Sequence, residues 1–118
     1  VLEAKLQLQK GNRSEIEAYM KDLAARRREK QPLEYPSAGS TFKRPEGFFA
    51  GKLIMDAGLR GYSVGDACVS EKHCGFVINK GTATAEDVCT LMKNVSAKIK
   101  DTFGVTLEPE VRIIGREL

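Results

Sequence analysis

Apolar and polar residues alternate over the first nine positions. Leu2, Ala4, Leu6 and Leu8 fall on one side, and Glu3, Lys5, Gln7 and Gln9 on the other, which predicts a half-buried strand. Lys10-Gly11-Asn12-Arg13 reads as a turn. Ser14 stands at an N-cap position, and Glu17 three residues on completes a capping box. The period then becomes helical. Ile16, Tyr19, Met20, Leu23 and Ala24 form one stripe, with Glu15, Lys21, Asp22, Arg26 and Glu29 mostly outside it. This helix is expected from residue 15 to residue 29 or 30, and Pro32 ends it. A short second helix is expected over residues 48–57, with Phe49, Leu53, Ile54 and Ala57 inward and Gly58 as its C′ residue. The glycine-rich run 58–66 reads as a loop. Two short strands follow, over residues 67–70 and 75–79. Phe76-Val77-Ile78 is continuously apolar, as in a strand covered on both faces. Thr84, with Asp87 three residues on, caps a third helix. Its stripe of Val88, Leu91, Met92, Val95 and Ile99 is the clearest in the chain, and Phe103-Gly104 closes it. A last strand is expected over residues 111–114. This order predicts an α+β fold: a single small domain with a mixed or antiparallel sheet and about three helices packed on it.

One stretch, Tyr35-Pro36-Ser37-Ala38-Gly39-Ser40-Thr41-Phe42-Lys43-Arg44-Pro45, is poor helix and poor strand. Each proline biases the residue before it away from the helical region, and Gly39 permits positive φ. Ser40 is therefore expected on a tightly turned backbone with Lys43 and Arg44 close by. Two readings are open for it. It is a surface turn with two solvated cations, or it is a loop that offers a hydroxyl and cations to an anion.

Composition narrows the function classes. The 118 residues suffice for one domain with a modest core, and 42% hydrophobic with 30% charged residues describes a soluble globular chain. The net charge of +3 is mild for nucleic-acid binding. The dense cluster Arg26-Arg27-Arg28 with Lys30 ends a helix, where cations suit the dipole, so no nucleic-acid partner is expected. No apolar run approaches the ~20 residues that span a bilayer, and no membrane association is expected. The opening residues carry no basic segment followed by an apolar core, so no secretory leader is read there. The chain starts without Met inside a strand-like pattern, which suggests a piece of a longer protein. Cys68, Cys74 and Cys89 fit no zinc spacing, and no metal site is expected. His73 and Cys74 are adjacent, and on a strand they would point to opposite faces. Reduced, partly buried thiols are the expectation. Glu110, held behind Pro109, is either a general acid or a solvated edge carboxylate. His73 either meets a ligand or caps a strand end. Lys52, Arg60 and Lys72 read as surface cations.

Four ordered motifs add a resemblance that covers nearly the whole chain. They are Ser37-Ala38-Gly39-Ser40-Thr41-Phe42-Lys43-Arg44-Pro45; Gly51-Lys52-Leu53-Ile54 with Ala57-Gly58-Leu59-Arg60-Gly61; Val69-Ser70-Glu71-Lys72-His73-Cys74-Gly75-Phe76-Val77-Ile78-Asn79; and Leu107-Glu108-Pro109-Glu110-Val111-Arg112-Ile113-Ile114-Gly115. Together they resemble the C-terminal, substrate-binding region of the UDP-N-acetylenolpyruvoylglucosamine reductase (UDP-N-acetylmuramate dehydrogenase) family, cytoplasmic flavoenzymes of peptidoglycan synthesis. The resemblance implies FAD as cofactor, NADPH as co-substrate and UDP-N-acetylglucosamine enolpyruvate as substrate. It implies Ser40 as proton donor and Glu110 as a second catalytic residue, acting at the developing charge on the substrate carboxylate. It implies Arg44 and His73 as substrate contacts, with Lys43 as an electrostatic helper. The flavin-binding region is absent. Residues 1–10 are then the strand left from it, residues 11–118 the C-terminal substrate-binding domain, and the chain is expected to fold without turning over alone. A UDP-sugar-binding module without redox chemistry is the alternative.

Overall fold

The structure is a computed structural model and describes residues 1–115. In chain order its elements are α1 (Arg13–Lys30), β1 (Ser37–Ser40), α2 (Ala50–Asp56), β2 (Ser63–Val64), β3 (Ala67–Val69), β4 (Phe76–Asn79) and α3 (Ala85–Phe103). The α+β expectation holds. The strands form one antiparallel sheet in the order β1-β4-β3-β2. The three-helix count holds as well, although only α2 and α3 contribute buried residues.

The core forms where α3 packs on β3 and the edge strand β2. Leu91, Met92, Val95 and Ile99 are buried against Ala67 and Val69, and Leu53 and Ile54 of α2 close the side. The expected capping box is present at α3. Thr84 Oγ1 accepts from Asp87 N at 3.1 Å, and Thr84 N donates to Asp87 Oδ2 at 2.8 Å. Gly104, at φ 70°, ends the helix with its amide on Lys100 O. Cys68, Cys74 and Cys89 are free and buried, as expected of inert thiols. No group that would hold a metal ion occurs among the described residues.

Several expectations are corrected. Residues 1–10 form no strand and are exposed. A strand needs a neighbour for its backbone groups, and no strand of the sheet pairs with them. Helix α1 is capped by Asn12, not Ser14: Asn12 Oδ1 accepts from Glu15 N at 3.3 Å. Glu17 then pairs with Arg13 at 2.7 Å instead of reaching back to a cap. The apolar stripe of α1 faces solvent, and none of its residues is buried. The stretch around Ser40 is an edge strand, irregular between Ser37 and Ser40, rather than a turn. Positive φ at Gly39 (84°) gives this irregularity room. Ser63–Val64 is a strand inside the expected loop. It turns through Gly65 (φ 53°) and Asp66 into β3, a two-residue hairpin. Phe49 lies outside α2 and is exposed. His73, by contrast, lies in the β3–β4 loop, between the two strands as their expected bounds left it. Residues 111–114 form no strand. Residues 108–110 instead run beside 41–43 through the single bridge Phe42–Pro109. Proline has no N–H to extend such a ladder.

Candidate active site

Thr41 is the joint of the site. It follows β1, is buried, and ties three segments together. Its amide donates to Gly75 O at 2.9 Å, its Oγ1 accepts from Val77 N at 3.0 Å, and its carbonyl accepts from Glu110 N at 2.9 Å. Lys43 N adds a bond to Glu108 O at 2.8 Å. Thr41 thus places Ser40 beside the segment that carries Glu110. These residues are far apart in sequence and share one cleft of about 660 Å³.

The other walls come from two elements. The start of α2 supplies Gly51 and Lys52, and the β3–β4 loop supplies Lys72, His73, Cys74 and Gly75. These two walls touch through their backbones. A Cβ on Gly51 would lie 3.1 Å from Gly75 N, so glycine permits the approach. The loop is shaped from inside by buried Ser70, whose Oγ accepts from Lys72 N and His73 N at 3.2 Å each. His73 is fixed in turn. Its Nδ1 accepts from Gly75 N at 3.1 Å, so the neutral ring carries its proton on Nε2. Its edge meets Phe76 at 4.8 Å between centroids.

The cleft is cationic. Lys43, Arg44, Lys52, Arg60 and Lys72 line it, with Glu110 as the carboxylate among the lining residues. Three of the cations are partly neutralised: Lys43 by Glu108 at 3.1 Å, Lys52 by Asp56 at 2.8 Å, and Lys72 by Glu34 at 3.5 Å. Glu34 is held below its ordinary value, first by its own backbone N–H and further by Lys72, against a desolvation that raises it. Arg44 and Arg60 have no carboxylate partner among the described residues. Arg44 stacks on Phe49 at 4.0 Å from the ring centroid, and Arg60 rests on Met55 Sδ at 3.0 Å. Guanidinium groups held without a counter-charge suit an anionic ligand.

The structure therefore brings together all five residues singled out in the sequence: Ser40, Lys43, Arg44, His73 and Glu110. Sequence reasoning passed over Lys52, Arg60 and Lys72 as surface cations, and it placed Phe49 in the core. For the three cations, their positions inside the quoted motifs were the available signal; Phe49 lies outside those motifs.

Comparison with known proteins bears on the same region. The family described as "UDP-N-acetylenolpyruvoylglucosamine reductase, C-terminal domain" matches residues 31–114. The chain is similar to the UDP-N-acetylenolpyruvoylglucosamine reductase of Agathobacter rectalis, at 69% identity over 115 residues, 98% of this chain and 37% of that protein. It is similar to the reductase of the same name from Lachnoclostridium phytofermentans, at 65% identity over all 118 residues and 38% of that protein. Among solved structures, the UDP-N-acetylenolpyruvylglucosamine reductase of Thermus caldophilus matches with a TM-score of 0.75 at 37% identity. That match covers 92% of this chain and 38% of the other. The chain spans less than two-fifths of the length of these relatives.

Proposed function

The chain belongs to the UDP-N-acetylenolpyruvoylglucosamine reductase family, and on that premise we propose that it forms the substrate side of such an enzyme's active site. The intact enzyme reduces UDP-N-acetylglucosamine enolpyruvate to UDP-N-acetylmuramate for peptidoglycan synthesis in the cytoplasm. One observation carries this reading: Ser40 and Glu110 stand on one cationic cleft, joined through the Glu110–Thr41 backbone bond.

FAD, reduced by NADPH, supplies the hydride in the intact enzyme. Of the aromatic rings among the described residues of the cleft, Phe42 is buried, Phe49 carries Arg44 and His73 packs against Phe76. No flavin contact is therefore assigned to this chain, and the chain alone does not turn over.

The residues present divide the remaining work. Arg44, with Lys43 and its neighbours, holds the anionic part of the substrate. His73 donates from Nε2, because its Nδ1 is committed to Gly75. Once hydride has added to the methylene carbon of the enolpyruvyl group, negative charge spreads over the carbon alpha to the carboxylate and the carboxylate itself. Ser40 Oγ–H gives its proton to that alpha carbon. A serine is a weak acid, but a strongly basic enolate accepts its proton when nearby cations stabilise the alkoxide. Glu110 protonates or hydrogen-bonds the charge that develops on the carboxylate.

The test uses the intact reductase, wild type and Ser40→Ala, with flavin absorbance followed by stopped flow. NADPH is added first and the enolpyruvyl substrate second. Flavin reduction is expected to persist in the variant, while substrate-driven reoxidation falls by about three orders of magnitude or more. Reoxidation at the wild-type rate would reject Ser40 as the donor and favour a binding module without redox chemistry.

A further inference from the structure

Ser70 directly follows β3, and this polar residue is only 1% exposed. Its Oγ accepts from Lys72 N and from His73 N at 3.2 Å each, and its amide donates to Phe76 O at 2.9 Å. A serine hydroxyl that takes the amides two and three residues on gives the backbone a turn of its own. The bonds of this turn converge on His73. Its N–H goes to Ser70, its carbonyl accepts from Phe76 N at 2.9 Å, and its Nδ1 accepts from Gly75 N at 3.1 Å.

The imidazole has little room to move. A Cβ on Gly75 would stand 2.9 Å from His73 Cε1, and one on Gly51 would stand 3.6 Å from the same atom. The ring also meets Phe76 edge-on. Nδ1 is committed to Gly75, which leaves Nε2 to face a ligand. Lys72 shares the Ser70 acceptor but not the consequence. Its Nζ ends a flexible four-carbon stem and pairs with Glu34, so its amide does not fix where the charge lies. The imidazole hangs one carbon from the backbone and goes where the backbone goes.

We propose that Ser70 is a positioning residue for substrate binding. It is not among the residues that line the cleft. Its hydroxyl sets the loop over residues 70–75, so that His73 presents Nε2–H in one tautomer and one place. This role rests on the reading of His73 as a substrate contact.

The intact reductase carries the test, as wild type, Ser70→Ala, His73→Gln and the two combined. At saturating NADPH, Ser70→Ala is expected to raise KM for the enolpyruvyl substrate about tenfold, with kcat within about twofold and flavin reduction by NADPH unchanged. His73→Gln is expected to raise KM to a similar extent. Adding Ser70→Ala to it is expected to cost less than about twofold more, because the hydroxyl acts through the imidazole. Nitrogen NMR of isotope-labelled histidine, with His73 assigned by its loss in the glutamine variant, is expected to show the Nε2–H tautomer in wild type and mixed tautomers in Ser70→Ala. Ser70→Cys keeps the shape with a weaker acceptor, and it is expected to fall between the two if alanine does not fold. Unchanged KM in both Ser70 variants, beside a raised one in His73→Gln, rejects Ser70 alone. An unmoved KM in His73→Gln rejects the contact itself. A full additional loss in the combined variant, or a wild-type tautomer in Ser70→Ala, also overturns the proposal. One measurement needs no variant. The Lys72 and His73 amides of wild type are expected to exchange with deuterium about a hundredfold or more slower than open amides, and free exchange of both overturns the proposal.

Discussion

Arg44 shows how much of this site depends on the setting of single side chains. Its guanidinium is exposed and has no carboxylate near it among the described residues, yet it is held 4.0 Å above the Phe49 ring. That contact is what an exposed Phe49 does in this fold. It leaves the planar fork of the guanidinium facing the cleft, with less rotamer freedom to lose when an anion binds. An exposed cation–π contact is worth ~0.5–1 kcal/mol. Phe49→Leu in the intact reductase is therefore expected to raise KM for the UDP-linked substrate about 2- to 5-fold with kcat nearly unchanged, and Phe49→Tyr to restore the wild-type value. Steady-state kinetics at saturating NADPH decide it. An unchanged KM in the leucine variant means Phe49 does not position Arg44.

At the scale of elements, the approach of α2 to the β3–β4 loop sets the width of the cleft. Gly51 lies in the first turn of α2, where alanine would gain up to ~1 kcal/mol of helix propensity. Against that, its Cβ would stand 3.1 Å from Gly75 N and 3.5 Å from Gly75 Cα. Those are backbone atoms, and they cannot rotate away. Overpacking of this kind costs ~1–3 kcal/mol, so the clash wins. Gly51→Ala is expected to lower stability by about 1–2 kcal/mol in urea unfolding. A stabilised variant would show that the loop yields freely. The same elements explain what was legible in the sequence. Helix α3 was read correctly because its cap, stripe and closing glycine all lie within one segment. Strand β1 and the 108–110 segment were misread because their pairing depends on partners distant in sequence, Gly75, Val77 and Thr41. The stripe of α1 was read correctly as a pattern and wrongly as a core face, since periodicity says that a face will be buried but not by what. The grouping of Ser40 with Glu110 came from motif resemblance. Spacing alone left each of them open to a solvent-exposed reading, and only the bonds at Thr41 make them neighbours.

At the scale of the whole molecule, the Asp66 carboxylate ties the sheet to a connection outside it. Asp66, at the tip of the β2–β3 hairpin, accepts from Thr82 N at 2.7 Å and from Thr82 Oγ1 at 2.8 Å, while its carbonyl accepts from Lys80 N at 2.9 Å. A Cβ on Gly81 would sit 2.9 Å from Asp66 Oδ2, so this reach also requires a glycine. The hairpin is thereby pinned to the β4–α3 connection. The bond from Thr82 N, followed by that from its hydroxyl, holds the Asp66 carboxyl below its ordinary value of 3.8. The sign of the consequence follows. A depressed folded value means that the charged form favours the fold. The contribution is present above the unfolded value and is lost as pH falls from there through the lower folded value. Glu34 is depressed as well, so it loses stability in the same direction as the link to α1 is released from Lys72. Thermal unfolding of wild type and Asp66→Asn between about pH 6 and pH 2 checks this. Wild type is expected to be the more stable above about pH 4, with the two curves converging as acid protonates Asp66. A gap that stays constant down to the lowest pH would mean that the asparagine perturbs the turn by its shape, and that the charge of Asp66 holds nothing in place.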